Sequence, residues 1–216
     1  MSETQSTKIA RSLLQIQAVK ISPEKPFTWA SGLKSPLYCD NRLTLSYPEI
    51  RNQICEGFVA LIRSKFPKTG GISGVATAGI PHGMLVADRL SLPFLYVRSK
   101  PKEHGLGNQI EGKLDTKTSY LMVEDLVSTG KSSLEAVEAM KNAGGLVSGL
   151  VSVFSYGFPD AGAAFSTAGI PWESLVTYDD MLAEALQSNY ISQKDLESLQ
   201  EWRKNPKAWS EEKSKS

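Results

Sequence analysis

Tyr120-Leu121-Met122-Val123, running straight into Glu124-Asp125-Leu126-Val127-Ser128-Thr129-Gly130-Lys131-Ser132-Ser133, decides how the rest of the chain is read. Four uninterrupted apolar residues predict a strand covered on both faces, as in a parallel sheet. Two adjacent carboxylates follow where that strand would emerge at its carboxyl end, the usual place for ligands in open α/β sheets. Small hydroxyl and glycine residues come next. Beyond them Leu134, Val137 and Met140 share a helical face opposite Glu135, Glu138 and Lys141, so a helix begins there. Free N–H groups at its mouth, with Ser and Thr hydroxyls around them, can hold a phosphate. A phosphate cradle beside two carboxylates able to accept hydrogen bonds from sugar hydroxyls suits a ribose 5-phosphate. Similar turns also occur as plain connections in α/β proteins. The stretch is not a Walker loop, because the glycine spacing before Lys131-Ser132 is missing. The acid pair favours a binding role, since charges at a strand exit need a partner if buried.

As a whole the segment resembles the phosphoribosyl diphosphate (PRPP) motif of the type I phosphoribosyltransferases, with Lys131 where that family more often has a second glycine. The resemblance implies that Glu124 and Asp125 touch ribose hydroxyls. It also implies that the turn through Leu126, Val127, Ser128, Thr129, Gly130, Lys131 and Ser132 binds the rest of PRPP, chiefly its 5-phosphate. The implied fold is α/β, a central and mainly parallel sheet flanked by helices, with a small N-terminal hood over residues 1–45.

The chain has 216 residues, enough for a substantial core, and a net charge of +1. Acids and bases are interspersed, which argues against a nucleic-acid or anionic-membrane partner. Cys39 and Cys55 are too few for a disulfide framework and have no His/Cys cluster around them for zinc. No basic-then-apolar signal opens the chain and no apolar run approaches a membrane span, so a cytoplasmic protein is expected.

Outward from the central stretch, strand and helix alternate. Helical spacing covers Thr7 to Lys20, Tyr47 to Lys65 and Gly79 to Arg89, the last entered through Pro81. Strands are expected over Ile72 to Thr77, Phe94 to Val97, Leu146 to Phe154 and Ser174 to Thr177. Met181 to Gln187 and Ser192 to Trp202 read as closing helices, and residues 205–216 as a charged, frayed tail. Prolines and glycine break Ile21 to Pro36 into turns and short strands. Lys100 to Lys117 is polar and aperiodic and reads as a long mobile loop. The alternation argues for βαβ units and one domain with an N-terminal cap.

Three further stretches carry chemistry. Arg98-Ser99-Lys100-Pro101-Lys102-Glu103-His104-Gly105, followed by Ile110-Glu111-Gly112, puts cations on a long loop (about residues 99–117) that could neutralise a diphosphate and exclude water. It resembles the catalytic loop of one branch of the family, the orotate phosphoribosyltransferases. That resemblance implies a principal catalytic role for Lys102, assistance from Arg98 and His104, and a homodimer in which the loop reaches the neighbouring subunit's site. Phe27 to Arg42 resembles the orotate-recognition hood: Ser31-Gly32, then Ser35-Pro36, then Tyr38 to lie against the flat base and Arg42 to meet its carboxylate. Ser128 is expected to touch the base as well. Ala30 stands where some relatives carry a base-contacting lysine. Gly74 to His82 resembles the diphosphate loop, with Ala78 where many relatives have lysine, so this loop offers backbone donors only; His82 reads as structural.

Together these parts imply transfer of a phosphoribosyl group from PRPP to orotate, with Mg²⁺ held mainly by substrate oxygens and water. The rival readings are a purine phosphoribosyltransferase, which would keep the central segment but not the loop and hood, and a PRPP-sensing regulator. The latter usually carries a DNA-binding region, for which the residues before Phe27 are too few and too weakly basic. A third is a nucleotide-binding module unrelated to ribose transfer.

Overall fold

A computed structural model describes residues 4–29, 31–100 and 109–215. In chain order the elements are α1 (Gln5–Gln15), β1 (Val19–Ile21), β2 (Phe27–Thr28), β3 (Lys34–Ser35), β4 (Leu37–Cys39) and a 3₁₀ turn (Asn41–Ser46). Then follow α2 (Pro48–Lys65), β5 (Gly71–Val75), α3 (Gly79–Leu90), β6 (Phe94–Val97), β7 (Ile110–Glu111), β8 (Ser119–Val127), α4 (Lys131–Asn142) and β9 (Leu146–Ser155). The chain continues through α5 (Pro159–Thr167), β10 (Trp172–Thr177), α6 (Tyr178–Gln187), α7 (Gln193–Lys204) and α8 (Pro206–Lys215).

The main sheet has the order β10-β9-β8-β5-β6-β7, parallel throughout except for β7, which runs antiparallel to β6. Alternation along β8 feeds both faces. Leu121 and Val123 point into a core shared with Ile9, Phe58, Val86, Leu182 and Trp202 from α1, α2, α3, α6 and α7. Tyr120 and Met122 point into a second core with Val137, Met140 and Phe165 from α4 and α5. The expected α/β architecture with a mostly parallel sheet is therefore present.

The hood consists of two small antiparallel pairs, β1 with β4 and β2 with β3. Trp29 seats it on the sheet, its ring edge-on to Tyr156 (centroids 5.2 Å apart) and to Trp202 (5.8 Å). From the other side, the Lys34 N–H donates to Ser210 Oγ at 2.9 Å, and Trp202 Nε1 donates to the Lys34 carbonyl at 3.3 Å. The C-terminal helices thus hold the hood in place.

Several expectations need correction. The strand of the central stretch runs on through Glu124-Asp125 to Val127, because β9 stays paired as far as Val127↔Ser155 whereas β5 leaves at Val123↔Gly74. The acid pair lies inside the strand, on the side vacated by β5. Ile110–Glu111 adds an edge strand to what read as one long loop. Residues 206–215 form α8 where a frayed tail was expected: Pro206 suits a first turn, and Trp209 and Ser210 are buried. Helix α5 was not anticipated, because Ala161, Gly162, Ala163 and Ala164 give no contrast between faces. Helix α6 starts at Tyr178, ahead of Met181, behind a capping box formed by Thr177 and Asp180.

Candidate active site

At the carboxyl end of β8 the structure brings Glu124, Asp125, Leu126, Ser128 and Ser132 of the central stretch into one pocket. A pocket of about 470 Å³ is lined there by Asp40, Arg42, Ala76, Thr77, Ala78, Glu124, Asp125 and Ser128, among others. Gly130 turns the chain with φ +78°, an angle that suits glycine, and opens α4 with no side chain capping its N–H groups. Those donors are available to an anion.

Glu124 is only 5% exposed, and Asp125 lies beside it. Burial first, then the neighbouring Asp125 carboxylate, pushes Glu124 well above the usual carboxylate range. Asp125 is raised too, by burial, while a hydrogen bond from Glu124 pulls it back. Both carboxyls are thus harder to ionise than in water, Glu124 the more so. The Asp125 N–H donates to Glu124 Oε1 at 3.1 Å and Ser133 Oγ donates to Glu124 Oε2 at 3.3 Å. Asn41 Nδ2 donates to the Asp125 carbonyl at 2.6 Å, which ties the hood to the acid pair.

An acid whose pKa is raised by folding binds its proton more tightly in the native state. It contributes stability below its ordinary value of 4.5, and that stability is lost as pH rises through the raised value. Glu124→Gln is therefore expected to melt at a higher temperature than the unliganded wild type at about pH 8, by roughly a few degrees, with the advantage shrinking toward about pH 5. Melting curves across that range check it; parallel curves would mean Glu124 ionises freely.

The other expected residues divide. Lys131 is 82% exposed and points along α4 toward Glu135 (3.9 Å), so only its backbone faces the anion site. Val127 has its side chain in the core and its carbonyl accepting from the Tyr156 N–H (3.1 Å), and Leu126 lines the pocket. Arg98 sits where β6 ends. Its Nη1 donates to Glu111 Oε1 at 3.4 Å, and it shares a small cleft with Ala76 and Ser132. Lys102 and His104 lie outside the described residues. Arg42, expected beside the base, donates from Nε and Nη2 to Asp40 (2.6 and 2.9 Å) and faces the same pocket as Ala76–Ala78. Tyr38 is 39% exposed and packs on Phe27 at 5.7 Å.

On the β5 side the pocket is lined by Ala76, Thr77 and Ala78, the peptide between Ala76 and Thr77 being cis, and the Ala76 N–H donates to the Val97 carbonyl at 2.9 Å. His82, in the first turn of α3, is 1% exposed with its pKa lowered by burial to about 4, so it is neutral at physiological pH and packs edge-on to Phe58. That is the structural role expected of it. Cys39 and Cys55 are both free and buried. Among the described residues no three His, Cys, Asp or Glu side chains cluster to hold a metal. Two acidic side chains beside an anion pocket fit a hard cation that arrives with its substrate and keeps its waters.

An uncapped helix mouth, an acid pair with Glu124 buried and Asp125 half-buried, and a hood seated on the same strand ends raise the question of relatives. Orotate phosphoribosyltransferase from Cytophaga hutchinsonii is 52% identical over 202 residues, covering 94% of this chain and 97% of that one. Orotate phosphoribosyltransferase from Bacillus subtilis is 52% identical over 200 residues, 93% of each. The chain belongs to the orotate phosphoribosyltransferase family. A solved orotate phosphoribosyltransferase from Aeropyrum pernix shares the fold with a TM-score of 0.70 at 24% identity, over 85% of this chain and 99% of that one. No protein-family model matches the chain. The type I phosphoribosyltransferase fold and the pentosyltransferase class implied by the loop and the central stretch are thus both present.

Within this orotate phosphoribosyltransferase, sequence reading missed Asn41 and Ser133, which steady Asp125 and Glu124. Ser133 had a signal: it is the helix residue next to the motif, on the side that must face the strand. Asn41 had none, because the hood's approach to β8 is a long-range contact.

Proposed function

We propose that the protein transfers the 5-phosphoribosyl group of PRPP to a ring nitrogen of orotate, giving orotidine 5′-monophosphate and diphosphate for pyrimidine (UMP) synthesis. One observation carries the assignment of roles: on β8 a buried Glu124 and a half-buried Asp125 adjoin the uncapped amino end of α4. The 5-phosphate sits on the N–H groups and hydroxyls of Ser128, Thr129, Gly130, Lys131 and Ser132. Asp125 and Glu124 accept hydrogen bonds from the ribose hydroxyls, and protonated Glu124 also donates. Ala76, Thr77 and Ala78 direct backbone groups toward the diphosphate, and Arg42 adds charge on that side.

The bond from ribose carbon 1 to the diphosphate oxygen breaks and its electron pair leaves with diphosphate. The orotate nitrogen forms the new bond to carbon 1 and loses its proton to solvent. Positive charge gathers on the ribose and negative charge on the leaving group. Alignment and stabilisation of the leaving group therefore matter more than a strong base. Lys102, with Arg98 and His104, meets that negative charge from the loop. Mg²⁺ would be held mainly by substrate oxygens and water, with the Asp125 and Glu124 carboxylates beside that pocket, and would supply positive charge to the leaving diphosphate. Tyr38 and Ser128 contact the base. The working form is a cytoplasmic homodimer, each loop covering the neighbouring subunit's site. Among the described residues no helix is long and apolar enough to cross a membrane.

Consumption of orotate in the presence of PRPP and Mg²⁺, set against a panel of other nucleobases, tests the activity; transfer to a purine and not to orotate would overturn it. Asp125→Asn is expected to weaken PRPP binding by about tenfold, the effect of removing a charged acceptor from paired hydroxyls. Calorimetry giving an unchanged dissociation constant would make the acid pair purely structural.

A further inference from the structure

Strand order fixes which side the acceptor must use. With the ribose over β8, the Ala76–Ala78 loop lies on the β5 side, and β9 is the neighbour on the other. Displacement at carbon 1 needs the incoming nitrogen opposite the departing diphosphate. On the reading of the diphosphate loop given above, the acceptor therefore approaches from over the end of β9. A cavity of about 700 Å³ opens there, walled by Trp29 and Ser31 of the hood, Thr129 of the phosphate turn, Phe158, and the cations Arg203 and Lys204 of α7. A flat ring suits the aromatic walls, and an acidic substituent suits the cations.

We propose that Arg203 is the residue that reads the acceptor's carboxylate, in this cavity between the hood, the end of β9 and the last turn of α7. The register Val127↔Ser155 and the Tyr156 N–H to Val127 carbonyl bond set Gly157 next to Ser128. A Cβ at Gly157 would stand 3.9 Å from Arg203 Nη1, so glycine leaves the approach to the guanidinium open. The side chain is held in place: it lies over the Tyr178 ring at 5.4 Å, and Nη1 donates to Asp179 Oδ2 at 2.7 Å. Guanidinium carries five N–H donors in a planar fork, so one acid partner does not exhaust it. Arg203 is 30% exposed and Asp179 is 67% exposed, so the pair is wet and readily reshaped by a ligand. Lys204 and Lys207 also line the cavity, but each offers a point charge and not the planar fork that matches a carboxylate. Ala30 has no charge to offer, and Arg42 is tied to Asp40 and lines the other pocket. Asp160 and Glu211 also line the cavity and repel an acidic ligand, so a carboxylate is held there only where it meets a cation such as Arg203.

The inference rests on the proposed activity, and steady-state assays separate the two. Arg203→Gln is expected to raise the KM for orotate about tenfold or more, the size of a lost hydrogen bond to a charged group, with PRPP affinity unchanged. Discrimination between orotate and uracil, which lacks the carboxylate, should fall by the same factor. Arg203→Lys, which keeps charge and stem, should recover part of the loss. Asp179→Asn removes the ion pair but leaves the guanidinium and should leave the orotate KM unchanged. An unaltered KM in Arg203→Gln, or an equal rise in Asp179→Asn, overturns the assignment while wild-type turnover of orotate stands. A wild type inert toward orotate overturns the activity itself.

Discussion

Lys102→Ala is expected to lower kcat about a thousandfold while PRPP affinity changes less than about tenfold. The reason lies in when the charge appears. On the proposed roles, PRPP in the ground state has its phosphates shared between the α4 mouth and the β5 loop, so one cation more or less alters binding little. As the bond at carbon 1 breaks, negative charge moves onto the bridging oxygen of the diphosphate, and a cation brought to that oxygen in a site closed to water acts more strongly than it does on the substrate. Arg98 places the start of the loop near Ala76 and Ser132, on the diphosphate side. Its return is fixed by the Arg98 N–H to Gln109 carbonyl bond (2.8 Å) and by Gln109 Nε2 donating to the Arg98 carbonyl (2.9 Å). Lys102 thus lies in the stretch between Arg98 and Gln109, which hold each other in a cleft with Ala76 and Ser132, the side proposed to take the leaving group. Turnover by steady-state assay and PRPP binding by calorimetry decide the matter: equal losses in both would make Lys102 a ground-state contact, and no loss would remove it from the chemistry.

How far the sequence goes depends on the range of the interaction that fixes each feature. Tyr120 to Val123 announced β8 because a strand covered on both faces has to be apolar throughout, and the phosphate turn followed because its chemistry is contiguous. The same locality explains the early reading of α2 and α3. What the sequence concealed was set by partners far away in the chain. Residues 206–215 look like a charged tail until Ser210 meets Lys34 and Trp209 Nε1 meets Ser198 Oγ at 3.3 Å. Asp125 owes part of its position to Asn41, some eighty residues earlier, through a bond to its carbonyl. Arg42 is the converse case: its partner Asp40 stands only two residues away, and the pair lines the pocket with Ala76, Thr77 and Ala78. The helix α7 was legible over Ser192 to Trp202, but its approach to the hood was not, because that depends on the aromatic packing of Trp29, Tyr156 and Trp202.

Gly79→Ala is expected to destabilise the protein by at least about 3 kcal/mol and to weaken PRPP binding with it, against the usual sign of such a change. In an ordinary helix, glycine to alanine stabilises by about 0.5–1 kcal/mol, because alanine loses less backbone freedom on folding. Gly79 opens α3 where the helix crosses β8, and a Cβ there would run into the Val123 carbonyl oxygen, with Glu124 Cα only 3.2 Å away. Those are backbone atoms of the strand that carries the acid pair, so no side-chain rotation relieves the collision. Gly74 and Gly83 are similarly tight, the first against Ile80 Cα at 2.8 Å and the second against Phe94 Cε2 at 2.9 Å, so α3 has no slack along β5 either. The helix must therefore lift, and Ala76–Ala78 immediately before it must lift too, taking the diphosphate donors away from Asp125. Gly162→Ala in α5 provides the contrast. Nothing lies within 4 Å of its Cβ position, so the ordinary stabilising sign should hold, with PRPP binding untouched. Chemical denaturation of both variants alongside PRPP calorimetry distinguishes close packing from a general intolerance of alanine. Gly79→Ala as stable as wild type would mean that α3 does not press on β8 as described, and the diphosphate loop would lose the support that holds it over the acid pair.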